Sequence, residues 1–189
     1  MVYMKKRTMP AVVIFTLIWM LVDAEKKEEN VALRGRATMS SNYRDSDSCL
    51  SAAINAIDGN PDGDYYHGSC FSTARENSPW WRVDLLETYT ISHIVLTTRG
   101  SCCEDEIIGA DILIGDFLNN YGNNNHRCAK VTSMGTQTFY CPGMKGRYVN
   151  VVNPGQYKAL TFCEIQIFGV PVDSEENKSL LTQNTKNLR

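Results

Sequence analysis

Neither sign of charge dominates this chain: 19 Lys+Arg face 21 Asp+Glu across 189 residues, a formal net charge of −2. A nucleic-acid binder ordinarily concentrates lysine and arginine to displace phosphate counterions, so that partner class is disfavoured. Histidine is scarce, at 3 residues, and His67, His93 and His126 form no H-E-x-x-H run or comparable zinc spacing. A G-x-S-x-G nucleophile elbow is also missing. Glu104, Asp105 and Glu106 adjoin one another, but a solvated acidic loop explains them better than acid/base work. An enzyme is therefore not expected. Repeats and low-complexity blocks are absent as well, and the length suits one domain with short appendages.

Long apolar runs are equally lacking. The longest, 11–22, is shorter than the roughly 20 residues a membrane-spanning helix needs. Lys5, Lys6 and Arg7 precede it, and Val22-Asp23-Ala24 offers small or short residues at a cleavage site. Residues 1–24 thus read as a secretory signal peptide, with an uncleaved signal anchor as the alternative. The mature protein is expected to be secreted and extracellular, where thiols oxidise. Residues 25–29 form a charged leader, 30–170 the domain, and 171–189 a polar tail carrying the N-glycosylation sequon Asn177-Lys178-Ser179.

Within the domain the apolar signal is short and of period two. Segments 91–98, 110–115, 147–152 and 160–168 read as strands, separated by turn sequences such as Asp58-Gly59-Asn60-Pro61 and Asn153-Pro154-Gly155. Only 51–57 invites a short helical turn. The fold class is all-β, an antiparallel sandwich of jelly-roll type.

What the chain does have is cysteine, 7 in all, an odd number that remains after signal removal. Cys102 and Cys103 are neighbours. Their Cα atoms, about 3.8 Å apart across a peptide, are closer than an ordinary disulfide prefers. A vicinal bridge would present a flat, dry, rigid surface suited to the apolar face of a sugar ring; alternatively each cysteine bonds elsewhere. A second cluster, Asn55-Ala56-Ile57-Asp58-Gly59-Asn60 with Ser69 and Glu164, supplies hard oxygen ligands of the kind Ca²⁺ takes. Asx-turn chemistry explains the same string without metal.

Taken together, Asn30-Val31-Ala32-Leu33-Arg34-Gly35, Asn55-Ala56-Ile57-Asp58-Gly59-Asn60, Tyr66-His67-Gly68-Ser69-Cys70, Pro79-Trp80-Trp81-Arg82-Val83-Asp84, Arg99-Gly100-Ser101-Cys102-Cys103 and Cys163-Glu164-Ile165 resemble the fucolectins, or F-type lectins. The resemblance implies a β-jelly roll related to the discoidin domains, a structural calcium ion, and binding of terminal L-fucose on glycans, often by oligomers in innate defence. It assigns calcium to Asn55, Asp58, Asn60, Ser69, the Cys163 carbonyl and the Glu164 carboxylate. It also pairs Cys70 with Cys163, Cys102 with Cys103, and Cys128 with Cys141. Trp80 and Trp81 alternate faces on a strand and read as shoulder and core of the sandwich rather than as sugar platforms.

The sugar site departs from the family pattern of a histidine, an Arg-x-Asp tripeptide and a further Arg or Lys. Here Ser72, Arg99-Gly100-Ser101 and Glu106 occupy those positions, so Arg99 alone keeps a basic group. Glu106 turns a donor fork into an acceptor, and Ser72 shortens the reach. Unpaired polar groups would then cost fucose about 1–3 kcal/mol each. His67 and Arg75 are the candidates to compensate, with Tyr65, Tyr66 and Cys102-Cys103 as an apolar wall. The expected function is a calcium-stabilised lectin of altered glycan specificity. The alternative is an interaction protein that kept the scaffold and lost sugar binding. Cys49 has no partner in the family pattern; it reads either as a buried free thiol or as a bridge between two chains.

Overall fold

The computed structural model describes residues 28–43, 51–100 and 102–172. The signal segment, Cys49, Ser101 and the tail with Asn177 lie outside the described residues. Among the described residues there are nine strands: β1 Glu29–Asn30, β2 Arg36–Met39, β3 Phe71–Ser72, β4 Trp80–Thr97, β5 Asp111–Gly115, β6 His126–Lys130, β7 Thr136–Val152, β8 Thr161–Phe162 and β9 Glu164–Pro171. The predicted helical turn is a 3-10 turn, Ala53–Ile57.

All pairing is antiparallel. The long strands β4 and β7 pair along most of their length, with breaks in register, and their neighbours change along it. Near Trp80–Asp84 they are flanked by β2 and β5, with β6 beyond; near Tyr89–Thr97 they are flanked by β9 and β1. The change falls at a register shift between Asp84 and Tyr89, where Leu86 adopts a φ of 72°. Leu86 N–H donates to the Asp84 carboxylate at 2.8 Å, and Arg147 clamps both oxygens of that carboxylate at 2.7 and 2.8 Å.

A second irregularity, between Ile91 and His93, adds a residue and changes which side chains face inward. Before it Trp81, Val83, Leu85, Tyr89 and Ile91 are buried; after it Ile94 and Leu96 are. This phase change is why the apolar pattern of β4 is hard to follow as one strand. These residues join Val149 and Val151 of β7, Ile112 and Ile114 of β5, and Ile165 and Ile167 of β9 in one core. Trp81 sits wholly inside it, its indole N–H donating to the Ala53 carbonyl at 2.9 Å.

The domain is slightly wider than the sequence suggests. Glu29, expected in the charged leader, pairs with Gly169, and Pro171 closes β9. The predicted strand over 160–168 is interrupted at Cys163, whose N–H donates to Thr97 O at 2.9 Å. That break separates β8 from β9 and turns the chain toward the site.

Candidate functional site

Three loop regions and two strand ends meet in an open cleft of about 1060 Å³. β3 ends at Ser72, β4 runs out at Thr97 two residues before Arg99, and the loops carrying Tyr65-Tyr66, Cys102-Cys103-Glu106 and Tyr157 complete the walls. All six sequence-predicted sugar positions line it: Tyr66, Ser72, Arg99, Cys102, Cys103 and Glu106.

Each group has an identifiable support. Arg99 lies over Tyr65, its guanidinium carbon 4.4 Å from the ring centre, and at 6.0 Å from Tyr66. Such stacking fixes a planar cation while its edge donors still reach outward. Gly100 N–H donates to Gly63 O at 2.9 Å, tying the Arg99 loop to the loop that carries the two tyrosines. Cys102 and Cys103 are bonded to each other, with Cα atoms 3.7 Å apart and Cys103 at a φ of 74°. Ser72 is buried, and its hydroxyl turns back to Thr73 O at 3.4 Å.

Glu106 does not stand alone. Arg75 reaches it at 3.2 Å and Asp105 at 3.4 Å, and also lies 5.9 Å from the Tyr157 ring. Burial is the main cause pushing the Glu106 carboxyl above the ordinary glutamate range, with Arg75 working against it. A second guanidinium therefore enters the cleft beside Arg99, held by the carboxylate that replaces the family's basic residue. His67, the other candidate for compensation, does not line the cleft. It is drawn instead to Asp62, Nδ1 to Oδ2 at 2.7 Å, and to Asp64 at 3.7 Å. Tyr43 and Tyr157 are the aromatic lining that sequence reading missed. Tyr157 has a φ of 53° just after the Pro154-Gly155 turn, which is the signal that was available.

The oxygen-rich loop leads directly into Tyr65 and Tyr66 of the cleft wall. Asp58, Asn60, Asp62 and Asp64 each accept the backbone N–H two residues on, at 2.8, 3.2, 2.9 and 3.0 Å. This run of Asx turns winds the loop locally. Asn55 donates its amide to Cys70 O at 3.0 Å, and Ser69 donates to Asp62 O at 3.1 Å. Cys70 and Cys163 are bonded, and Cys128 is bonded to Cys141 between β6 and β7.

Glu164 is the anomaly of this region. It is 1% exposed, and neither carboxylate oxygen has a hydrogen-bond partner. Burial first, then the Asp58 carboxylate, pushes its pKa up to about 8; the Gly59 amide works against both without reaching hydrogen-bond geometry. A buried carboxylate in this state calls for a cation or a proton. Among the described residues no three His, Cys, Asp or Glu side chains converge, so a cation here would rely on neutral oxygens as well. The donor set, with two carboxylates, amide and hydroxyl oxygens and a carbonyl, fits a hard ion of the calcium type and not zinc.

Residues 55–151 match the NedA-like, galactose-binding domain family of the F5/F8 type C group. Fucolectin-4 of Anguilla japonica is 51% identical over 144 residues, covering 74% of this chain and 79% of the relative. Fucolectin of Anguilla anguilla is 46% identical over the same length, covering 90% of itself. In three dimensions the chain resembles a crystal structure of an F-lectin (fucolectin) from Morone saxatilis serum, with a TM-score of 0.72 and 42% identity over 77% of this chain, and it spans half of that longer molecule. The lectin domain of lectinolysin, complexed with Lewis B antigen, gives a TM-score of 0.63 at 25% identity, over 75% of this chain and 96% of that domain. These relatives are lectins, not enzymes, and by sequence, fold and coverage the chain belongs to the fucolectin family of carbohydrate-binding lectins.

Proposed function

We propose that this chain is a secreted, calcium-stabilised lectin whose glycan specificity has moved away from that of its relatives, acting in innate defence as the fucolectin resemblance implies. The observation that carries the altered specificity is the pair Arg75–Glu106 inside the cleft. Arg99 donates to a saccharide oxygen, Glu106 accepts from a hydroxyl, and Arg75 returns a donor from a different direction. Cys102-Cys103 and Tyr66 supply the dry surface beneath the ring. A cleft that mixes guanidinium donors with a carboxylate acceptor suits a sugar whose hydroxyls are placed differently from those of L-fucose.

The cation belongs to the support of this site. Asn55, Asp58, Asn60, Ser69, the Cys163 carbonyl and Glu164 would hold calcium, and the ion would supply the positive charge that Glu164 lacks. The same loop carries Tyr65 and Tyr66, on which Arg99 rests, and Gly63, which receives the Gly100 N–H. Calcium would therefore act on sugar binding by ordering the floor, without touching the ligand.

A glycan array run with calcium and with EDTA tests both parts. We expect a defined set of neutral glycans to bind in calcium and to weaken in EDTA, and those held through Arg99 in this cleft to be lost in Arg99→Ala. An array with no carbohydrate signal, and no change on Arg99→Ala, would overturn the reading. In that case the double variant Ser72→His, Glu106→Arg should gain fucose binding, as the scaffold-only alternative requires.

A further inference from the structure

A second concavity, of about 600 Å³, opens on the other side of one wall of the first cleft. Ser41 and Arg75 line the first cleft while their neighbours Ser40 and Glu76 line the second. The wall is built by Glu76 and Lys158, which exchange backbone hydrogen bonds at 2.8 Å, and is braced by the Ser40 and Ser41 hydroxyls, both donating to the Glu76 carboxylate at 2.6 Å.

Tyr121 lines the same cavity as Glu76. Its ring is stacked on Trp80 at 5.1 Å and 17°, yet the residue is 61% exposed, so its surface away from Trp80 is presented to solvent. The backbone that presents it is costly to hold: Asn120, Tyr121 and Gly122 have φ of 50°, 59° and 90° in succession. A bulky residue in the left-handed region persists only where its surroundings over-determine it. They do so here. The Tyr121 carbonyl accepts from Arg82 Nη1 at 2.8 Å and from the amide of Asn150, a fully buried residue of β7, at 2.9 Å. Gly122 has to be glycine, because a Cβ there would lie 2.7 Å from the Asn150 side chain. Core and turn thus act together to hold an aromatic ring outward, which burial alone does not explain.

The polar rim fixes the class of ligand. Asn77, Asn120 and Asn123 offer amide donors and acceptors, and Glu76 and Asp111 offer carboxylate acceptors. No Lys or Arg lines the cavity, so an anionic sugar meets like charge. Asp111 is already neutralised by Lys130 at 2.8 Å and Arg127 at 3.3 Å, which leaves little net attraction for a cation. An aromatic face ringed by amides and hydroxyl acceptors matches the apolar face and hydroxyl edge of a neutral pyranose.

We propose that this Tyr121 cleft is a second saccharide-binding site for a neutral pyranose, supplied either by a further residue of the glycan held in the first cleft or by a separate chain. It stands whatever sugar the first cleft takes.

The test uses the calcium-loaded chain with galactose, N-acetylglucosamine and their linear oligomers, glucuronic acid serving as the anionic control. Saturation-transfer NMR identifies binders, and tryptophan fluorescence reports on Trp80. We expect binding and a fluorescence change to persist in Arg99→Ala. In Tyr121→Ala the affinity of that site should fall about tenfold or more, the scale of losing a well-placed aromatic contact. Tyr121→Phe, which keeps the ring, should retain binding, and Glu76→Gln should weaken it. If oligomers gain affinity over monomers and lose the gain in Tyr121→Ala, one glycan crosses the wall; equal affinities mean two glycans. The proposal is overturned if Tyr121→Ala and Glu76→Gln bind every saccharide as the parent does, or if Arg99→Ala abolishes all binding. If Arg99→Ala changes nothing while Tyr121→Ala removes binding, the first cleft's reading fails and this one stands.

Discussion

Glu106 concentrates the chemistry of the first cleft at one side chain. Its carboxyl is raised by burial, so the folded protein takes up a proton there at a higher pH than an exposed glutamate would. Protonation removes an acceptor and releases Arg75 from its partner. Sugar affinity should therefore decline as pH falls from about 7 toward about 4, beginning above the ordinary glutamate value, and Glu106→Gln should be flat over that range. Calorimetric titrations at several pH values decide this; a parent profile as flat as the variant's contradicts the role. Arg99, Cys102 and Cys103 could be found in the sequence because they occur within one short family string. The Arg75–Glu106 pair and Tyr157 could be proposed only in part or not at all. They meet through the Glu76–Lys158 backbone pairing, which joins distant parts of the chain and leaves no local pattern.

Among the elements, β4 shows most clearly where periodicity fails. Its second half reads as a strand in the sequence and Trp80-Trp81 as alternating faces of one, whereas the stretch between them does not, since the pairing breaks after Asp84 and the strand gains a residue against β9 near Ser92. The same holds for the first half of β7, where buried positions are few and the strand's outer face is solvated. The break in β4 depends on the Asp84–Arg147 fork. Arg147, aided by Leu86 N–H, holds the Asp84 carboxyl below the usual range despite its partial burial. A carboxyl depressed by folding contributes stability above its unfolded pKa and loses it as pH falls through the folded value. Asp84→Asn should cost about 1 kcal/mol at neutral pH, discounted because Arg147 is substantially exposed. That difference should shrink as pH falls below the ordinary aspartate value of about 3.9. Urea melts of both proteins at the two pH values measure it, and an equal cost at both would rule out the charge as its source.

At the scale of the molecule, the calcium site proposed at Glu164 would couple folding to metal. A ligand that binds the native state and not the unfolded chain raises the melting temperature, by roughly 2.7 kcal/mol of stability at one hundred times its dissociation constant. Calcium should raise the melting temperature by several degrees, and EDTA should reverse it. Glu164→Gln should melt no lower than the parent in EDTA, having removed a carboxylate with no hydrogen-bond partner, and should gain nothing from calcium. A parent curve unmoved by EDTA contradicts the assigned ligands.

The pairing of Glu29 with Gly169 puts the first and last strands of the domain side by side at one edge of the sheet. Chain entry and exit are thus about one strand spacing apart, near 5 Å. A unit with adjacent ends behaves as a plug-in cassette: it can be spliced into a surface loop of a host protein, or strung in series, without prising its strands apart. Gene fusion then becomes a geometric matter of linker length.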